Sequence, residues 1–243
     1  MDLSLTAVYS ALSAAQSALE ANAQDLANVR TTGYRPQQTY FESALSATWQ
    51  AGDGAQQDLP WAVQLRAGQP MDKAGPLQTG QGPLQVALSN SDDYFSVQTP
   101  QGTAYTRNGD FHLDPSGQLQ DPFGDAVLGA NGPLQATQGK AQINPDGSFV
   151  SAPGSPPQKL DIVNLKGLQL QRQGAQMFTV TGGQSGGPPQ GSVLPGQLEG
   201  SGSDIFKGMS DMVVLMRWSE SVQKAAHAND DAAKAVIDAA KLT

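Results

Sequence analysis

Apolar residues recur near the start of the chain at Leu5, Val8, Leu12, Ala15, Leu19, Leu26 and Val29, with Asn22 in the one polar slot. This alternating three-and-four spacing is that of a helix with a single seam. Asn22 has two readings: buried in the seam it fixes register, because only one alignment gives its amide a partner, and otherwise it faces water. A second stripe, Ala7, Ala11, Ala14, Ala18 and Ala21, follows the same rhythm about a third of a turn away. Such a helix can meet two neighbours at once. Gly33 supplies a residue able to take positive φ, Pro36 prevents the helix from resuming, and Tyr34 between them is placed to anchor the turn.

The pattern returns at the other end. Ile205, Met212, Leu215, Val222, Ala226, Ala233, Val236 and Ala240 repeat the seam, with Asn229 in a polar slot and a second stripe at Ala225, Ala228, Ala232, Ala235 and Ala239. Ser201 or Ser203 is the expected N-cap, with Asp204 near the positive end of the helix.

Between the two ends the period changes. Residues 36–70 read as a short helix or a strand pair followed by a loop, with Trp49 and Trp61 as anchors. From Gly75, short β-prone runs alternate with turn signals. Leu84–Leu88, Tyr94–Val97 and Thr103–Arg107 read as strands, and Asn108-Gly109 as a tight hairpin. Phe111–Leu113 leads to the turn Asp114–Gly117, and Leu119 to the turn Asp121–Gly124. Further strands are expected around Ile143, at Phe149-Val150 after the turn Asn144–Gly147, and at Lys159–Val163; Gly182–Gly191 reads as an exposed loop. The fold class is therefore α+β: terminal helices paired as a coiled-coil-like domain (1–35 plus 203–243), a connecting segment (36–74), and a central antiparallel β-rich domain (75–202).

Composition narrows the function. Among 243 residues, 27 Gly and 16 Pro imply many turns, and a formal net charge of −8 gives no basic footprint for nucleic acid. There is no cysteine, so neither a disulfide nor a thiol nucleophile. Asp2 stands where a secretory signal would be basic, and no run approaches a membrane span. His112 and His227 are too few and too separated for a triad or metal site, and His112 should point outward from its strand. Asp110, Asp114 and Asp121 do not follow a calcium-loop spacing and read as turn formers. No cofactor, metal or small-molecule substrate is implied.

Three stretches carry a resemblance. Asp25–Arg35, ending Arg30-Thr31-Thr32-Gly33-Tyr34-Arg35, resembles the N-terminal signature of bacterial flagellar rod and hook proteins. Ala104–Phe111 with Leu113-Asp114 and Gly117–Leu119, preceded by Thr79–Leu88, resembles their central signature, with Asn90–Asp93 in place of a glycine-rich link. Leu198-Glu199-Gly200-Ser201 through Val213 resembles the start of their C-terminal helix. The resemblance implies a structural subunit of the flagellar rod, whose partners are copies of itself, other rod proteins and the flagellar type III export apparatus; within that family the rather short chain and the compact linker after Gly33 favour the proximal over the distal type. The resemblance also implies location in the periplasm-spanning rod and export without a cleaved signal peptide. A rival reading is a β-domain binding module whose helices form a closed hairpin.

The candidate assembly interface comprises Leu5, Val8, Leu12, Leu19, Asn22, Leu26, Asn28, Val29, Gly33 and Tyr34 at one end. At the other it comprises Ile205, Met212, Leu215, Val222, Ala226, Asn229 and Val236. Each large apolar seam residue contributes about 1.5–3 kcal/mol when buried. Ordering each residue costs about 1–2 kcal/mol. One seam does not clearly win, so the helices are expected to order fully when assembly buries the second stripe.

Overall fold

The computed structural model describes residues 2–44, 62–70, 74–136, 141–151, 154–182 and 186–241. Trp49 and Trp61 lie outside these residues, as do the side chains of Leu5, Val8, Asn229 and Val236. The chain divides into two compact units: Met1–Leu26, Gln37–Gly68 and Ile205–Thr243 in one, Ala27–Pro36 and Gln69–Asp204 in the other.

In the first unit, helix α1 spans Asp2–Ala27 and helix α2 spans Ile205–Lys241. The strands Gln37–Ala44 and Ala62–Pro70 pair as a two-stranded sheet, the strand-pair alternative for residues 36–70. Because α1 stops at Ala27, Asn28 and Val29 fall in the turn that follows rather than on the seam. Among its described side chains the most buried are Ala14, Ala15 and Ala18, whereas Leu12, Leu19 and Leu26 are half-buried. The small side chains therefore take the closest approach and the leucines flank it. Asn22 is half-buried and donates from Nδ2 to the Gly208 carbonyl at 2.9 Å.

The second unit is a β-rich body. Its main sheet has nine strands, along the path Leu170–Gln173, Met177–Val180, Gly102–Thr106, Asp93–Thr99, Ala126–Gly129, Leu119–Gln120, His112–Leu113, with Gly132–Pro133 and Ile162–Asn164 attached beside it. Three-stranded and two-stranded pieces complete the body, the latter pairing Val86–Leu88 with Val193–Pro195 and Leu77–Thr79 with Gln197–Glu199. Asp93–Thr99 is buried at every position but Gln98, so it reads as a continuous rather than alternating strand. Phe95, Val97, Leu119, Val127 and Phe149 are fully buried in the main core, and Phe95 meets Phe111 edge to face at 5.1 Å.

The turns carry local carboxylates. Asp114 Oδ1 accepts from the amides of Ser116 and Gln118, and Asp121 Oδ1 from those of Phe123 and Asp125. His112 is exposed. The 182–191 loop is held at its far end: the amides of Gln190 and Gly191 donate to the buried carboxylate of Asp93.

Asn108-Gly109 is not a hairpin. The strand Gly102–Thr106 pairs with Asp93–Thr99 and Met177–Val180, not with His112–Leu113, and Gly109 has no positive φ. Glycine is required there for space: a Cβ at position 109 would stand 1.8 Å from the Val86 carbonyl oxygen. Asn108 is buried, donating from Nδ2 to Gln176 Oε1 at 2.8 Å and accepting from the Asp110 amide at 3.0 Å.

Candidate assembly site

Gly33 takes φ +67°, and its missing Cβ leaves room for the backbone of Arg107 and Asn108, which a Cβ would approach to 2.6 and 2.5 Å. Its amide donates to the Glu199 carbonyl at 2.7 Å, and the Gly202 amide donates to the Tyr34 carbonyl at 2.9 Å. The chain's way into the body thus runs beside its way out. Gly200 N donates to the Pro76 carbonyl at 2.9 Å, adding a third crossing.

A buried ionic cluster lies at this crossing. Arg35, Arg107 and Glu199 are each about 1% exposed at the side chain. Arg35 Nη2 stands 2.9 Å from Glu199 Oε1, while Arg107 approaches Glu199 Oε2 through Nε at 2.9 Å and also through Nη2. Arg107 further donates to the carbonyls of Asn90 at 2.7 Å, Leu88 at 3.3 Å and Asp93. Burial lowers the Arg107 pKa, and the carboxylate of Glu199 opposes that shift. Two guanidinium groups on one carboxylate leave a buried positive excess, which carbonyl oxygens solvate. Arg172 closes the cluster from outside: Nη1 donates to the Ala175 carbonyl at 2.8 Å, Nη2 to that of Arg35, and its guanidinium lies 4.9 Å from the Tyr34 ring centroid and 5.1 Å from that of Phe178.

Position by position, the expected interface divides. Gly33 and Tyr34 are buried in this crossing; Val29 is half-buried in a groove with Ala74, Pro76, Gln78 and Ser201–Asp204. On α2, Met212, Leu215, Val222 and Ala226 are half-buried on one side of the helix, while Ile205 is exposed. Ser201 Oγ accepts from the Ser203 amide at 3.2 Å, and Ser203 Oγ has no partner among the described residues. The N-cap position falls to Asp204, the residue before α2.

Two features lie outside the expected interface. One is the Arg35–Glu199–Arg107 cluster, whose members stand one each in the three stretches that carried the resemblance. The other is a second face of α2, Phe206, Met209, Val213 and Met216, spaced three-four-three and exposed by 82%, 52%, 47% and 44%. Ile205 and Val214 flank it. It lies one residue, about 100° round the helix, from the seam that starts at Ile205.

Among the described residues no three of His, Cys, Asp and Glu gather closely enough to hold a metal ion, and no helix is long and apolar enough to cross a membrane.

A family model described as the flagellar hook protein FlgE/F/G D1 domain matches residues 90–181. The chain is 32% identical to the flagellar basal-body rod protein FlgF of Escherichia coli (strain K12), across 93% of this chain and 94% of that protein. It is 31% identical to FlgF of Salmonella typhimurium, across 90% and 91%. To the flagellar basal-body rod protein FlgG of Bacillus subtilis it is 27% identical, across 96% and 98%.

Proposed function

We propose that this chain, which belongs to the flagellar basal-body rod protein family, is a proximal-rod subunit of the FlgF kind that polymerises through its terminal helices into a helical, torque-transmitting tube. Family membership makes it a structural protein of the basal body and not an enzyme. Its partners are copies of itself and other rod proteins, and the flagellar type III apparatus delivers it to the periplasm-spanning rod without cleavage of a signal peptide. Along nine-tenths or more of each chain, the two FlgF proteins are 32% and 31% identical and FlgG of Bacillus subtilis 27%, which supports the proximal type.

The observation that carries the assembly reading is the exposed face Phe206–Met209–Val213–Met216. Large side chains at helical spacing, left open on a helix whose other side is half-buried, require a cover in the working state. Burying such side chains contributes about 1.5–3 kcal/mol each. Together with Leu12, Leu19 and Leu26 on α1, they supply the seams of the assembly interface.

Phe206→Asp/Val213→Asp, expressed in place of the wild-type chain in its own bacterium, tests the reading. The secreted variant should be recovered folded but absent from purified basal bodies. Normal incorporation would overturn the assembly reading. Complementation separately tests the position: this chain should restore motility to a strain lacking the proximal-rod protein, and rescue of a distal-rod deletion instead would reassign it to the FlgG kind.

A further inference from the structure

The buried ionic cluster is asymmetric. Arg107 is fixed on all sides, its guanidinium meeting Glu199 and the carbonyls of Leu88, Asn90 and Asp93. Glu199 is fixed by its backbone, because Gln197–Glu199 pairs with Leu77–Thr79 in register. Arg35 is held less firmly. Its Nη2 meets Glu199 Oε1 at 2.9 Å and the Ser91 carbonyl at 3.3 Å, and its Nε, though buried, has no partner among the described residues.

We infer that Glu199 is a clasp with one fixed jaw, Arg107, and one releasable jaw, Arg35, so that the turn 30–36 undocks from the body as a unit while the C-terminal crossing stays in place. The physical reason is the charge balance. Without the Glu199 carboxylate two guanidinium groups remain buried close together, and one must reach water. Arg107 would give up several carbonyl partners to do so; Arg35 gives up one. Since Arg35 is about 1% exposed, it reaches water by lifting its backbone, which takes with it the bonds Gly33 N to Glu199 O and Tyr34 O to Gly202 N. Arg172 opposes this release from outside, through the Arg35 carbonyl and the Tyr34 ring. The backbone bonds Gly80 N to Gly196 O and Gly196 N to Gln85 O, 2.8 Å each, involve none of the three charged side chains and remain closed. The clasp is a property of the single chain, whatever it assembles with.

Amide hydrogen exchange on the full chain tests this, comparing wild type, Glu199→Gln and Arg35→Met. In both variants Gly33 and Gly202 should exchange about 100-fold faster, as expected when a buried pair is broken locally, with Gly80 and Gly196 unchanged. Arg35→Met leaves Arg107 paired with Glu199, so it keeps the test open if Glu199→Gln does not fold. An equal acceleration of all four amides would overturn the clasp, because the cluster would then only stabilise the body as a whole. Unchanged protection at Gly33 and Gly202 in Arg35→Met would overturn it as well, since the turn would be held by something else.

Discussion

The β body and the helical unit treat large apolar side chains in opposite ways. In the body Phe95, Phe149 and Phe178 are fully buried and even the arginines at the crossing are enclosed and paired. In the helical unit the most buried side chains are alanines, while Phe206 and Val214 are left 82% and 63% exposed. Apart from Phe123 and Leu77, which stand exposed singly and far apart in sequence, the body is finished as a single chain. Under the proposed assembly, the helices would hold these residues for surfaces that are not their own, giving a subunit that is stable alone a driving force to polymerise.

Breaking the finished side gives the largest effect: Phe95→Ala should cost about 3–5 kcal/mol in urea unfolding of the body, because it removes a ring packed edge to face on Phe111. Gly109→Ala follows, at about 1–3 kcal/mol, since its methyl group would meet the Val86 carbonyl oxygen. Substitution on the unfinished side reverses the balance. Phe206→Asp should change unfolding by no more than about 0.5 kcal/mol, and Leu12→Asp should leave the body's unfolding transition in place, yet each should abolish incorporation into basal bodies. Normal assembly of Leu12→Asp would remove α1 from the interface.

The finest distinction is between two turns of like sequence, Asp114-Pro115-Ser116-Gly117 and Asp121-Pro122-Phe123-Gly124. The Ser116 hydroxyl lowers the pKa of Asp114, whereas burial raises that of Asp121. Asp114 therefore adds stability above the unfolded carboxylate value of about 3.9, and loses it as pH falls through its lower folded value. Asp121 does the reverse: its charged form detracts at neutral pH, and the burden lifts as pH falls through its raised value. Asp114→Asn should flatten the acid limb of stability, and Asp121→Asn should stabilise at pH 7 with no gain at pH 3, both read by urea unfolding across that range.

How much of this was legible in the sequence depends on the range over which each residue acts. The two helices and the positive φ at Gly33 were readable because periodicity and a glycine act within a few residues, whereas α1 ends at Ala27, six residues before the expected stop. Asn108-Gly109 misled because two different needs select glycine: a hairpin wants its positive φ, and the body wanted its lack of a side chain against Val86, 23 positions earlier. Of the two stripes expected on α1, Ala15 of the first and Ala14 and Ala18 of the second are buried, while the leucines of the first are half-buried, a difference of side-chain size that periodicity alone does not rank. The Arg35–Glu199–Arg107 cluster joins residues separated by as many as 164 positions, and no local pattern announces such a pairing.

The adjacency of Gly33 and Glu199, 2.7 Å apart from amide to carbonyl, has a consequence for how such chains vary. The continuous stretch from Pro76 to Gly200 likewise begins and ends at one point, the Gly200 amide standing 2.9 Å from the Pro76 carbonyl, so it is spliced in like a bead on a loop. It can be enlarged, trimmed or exchanged without altering the distance its ends must span, so related subunits can differ in bulk while keeping the same terminal helices.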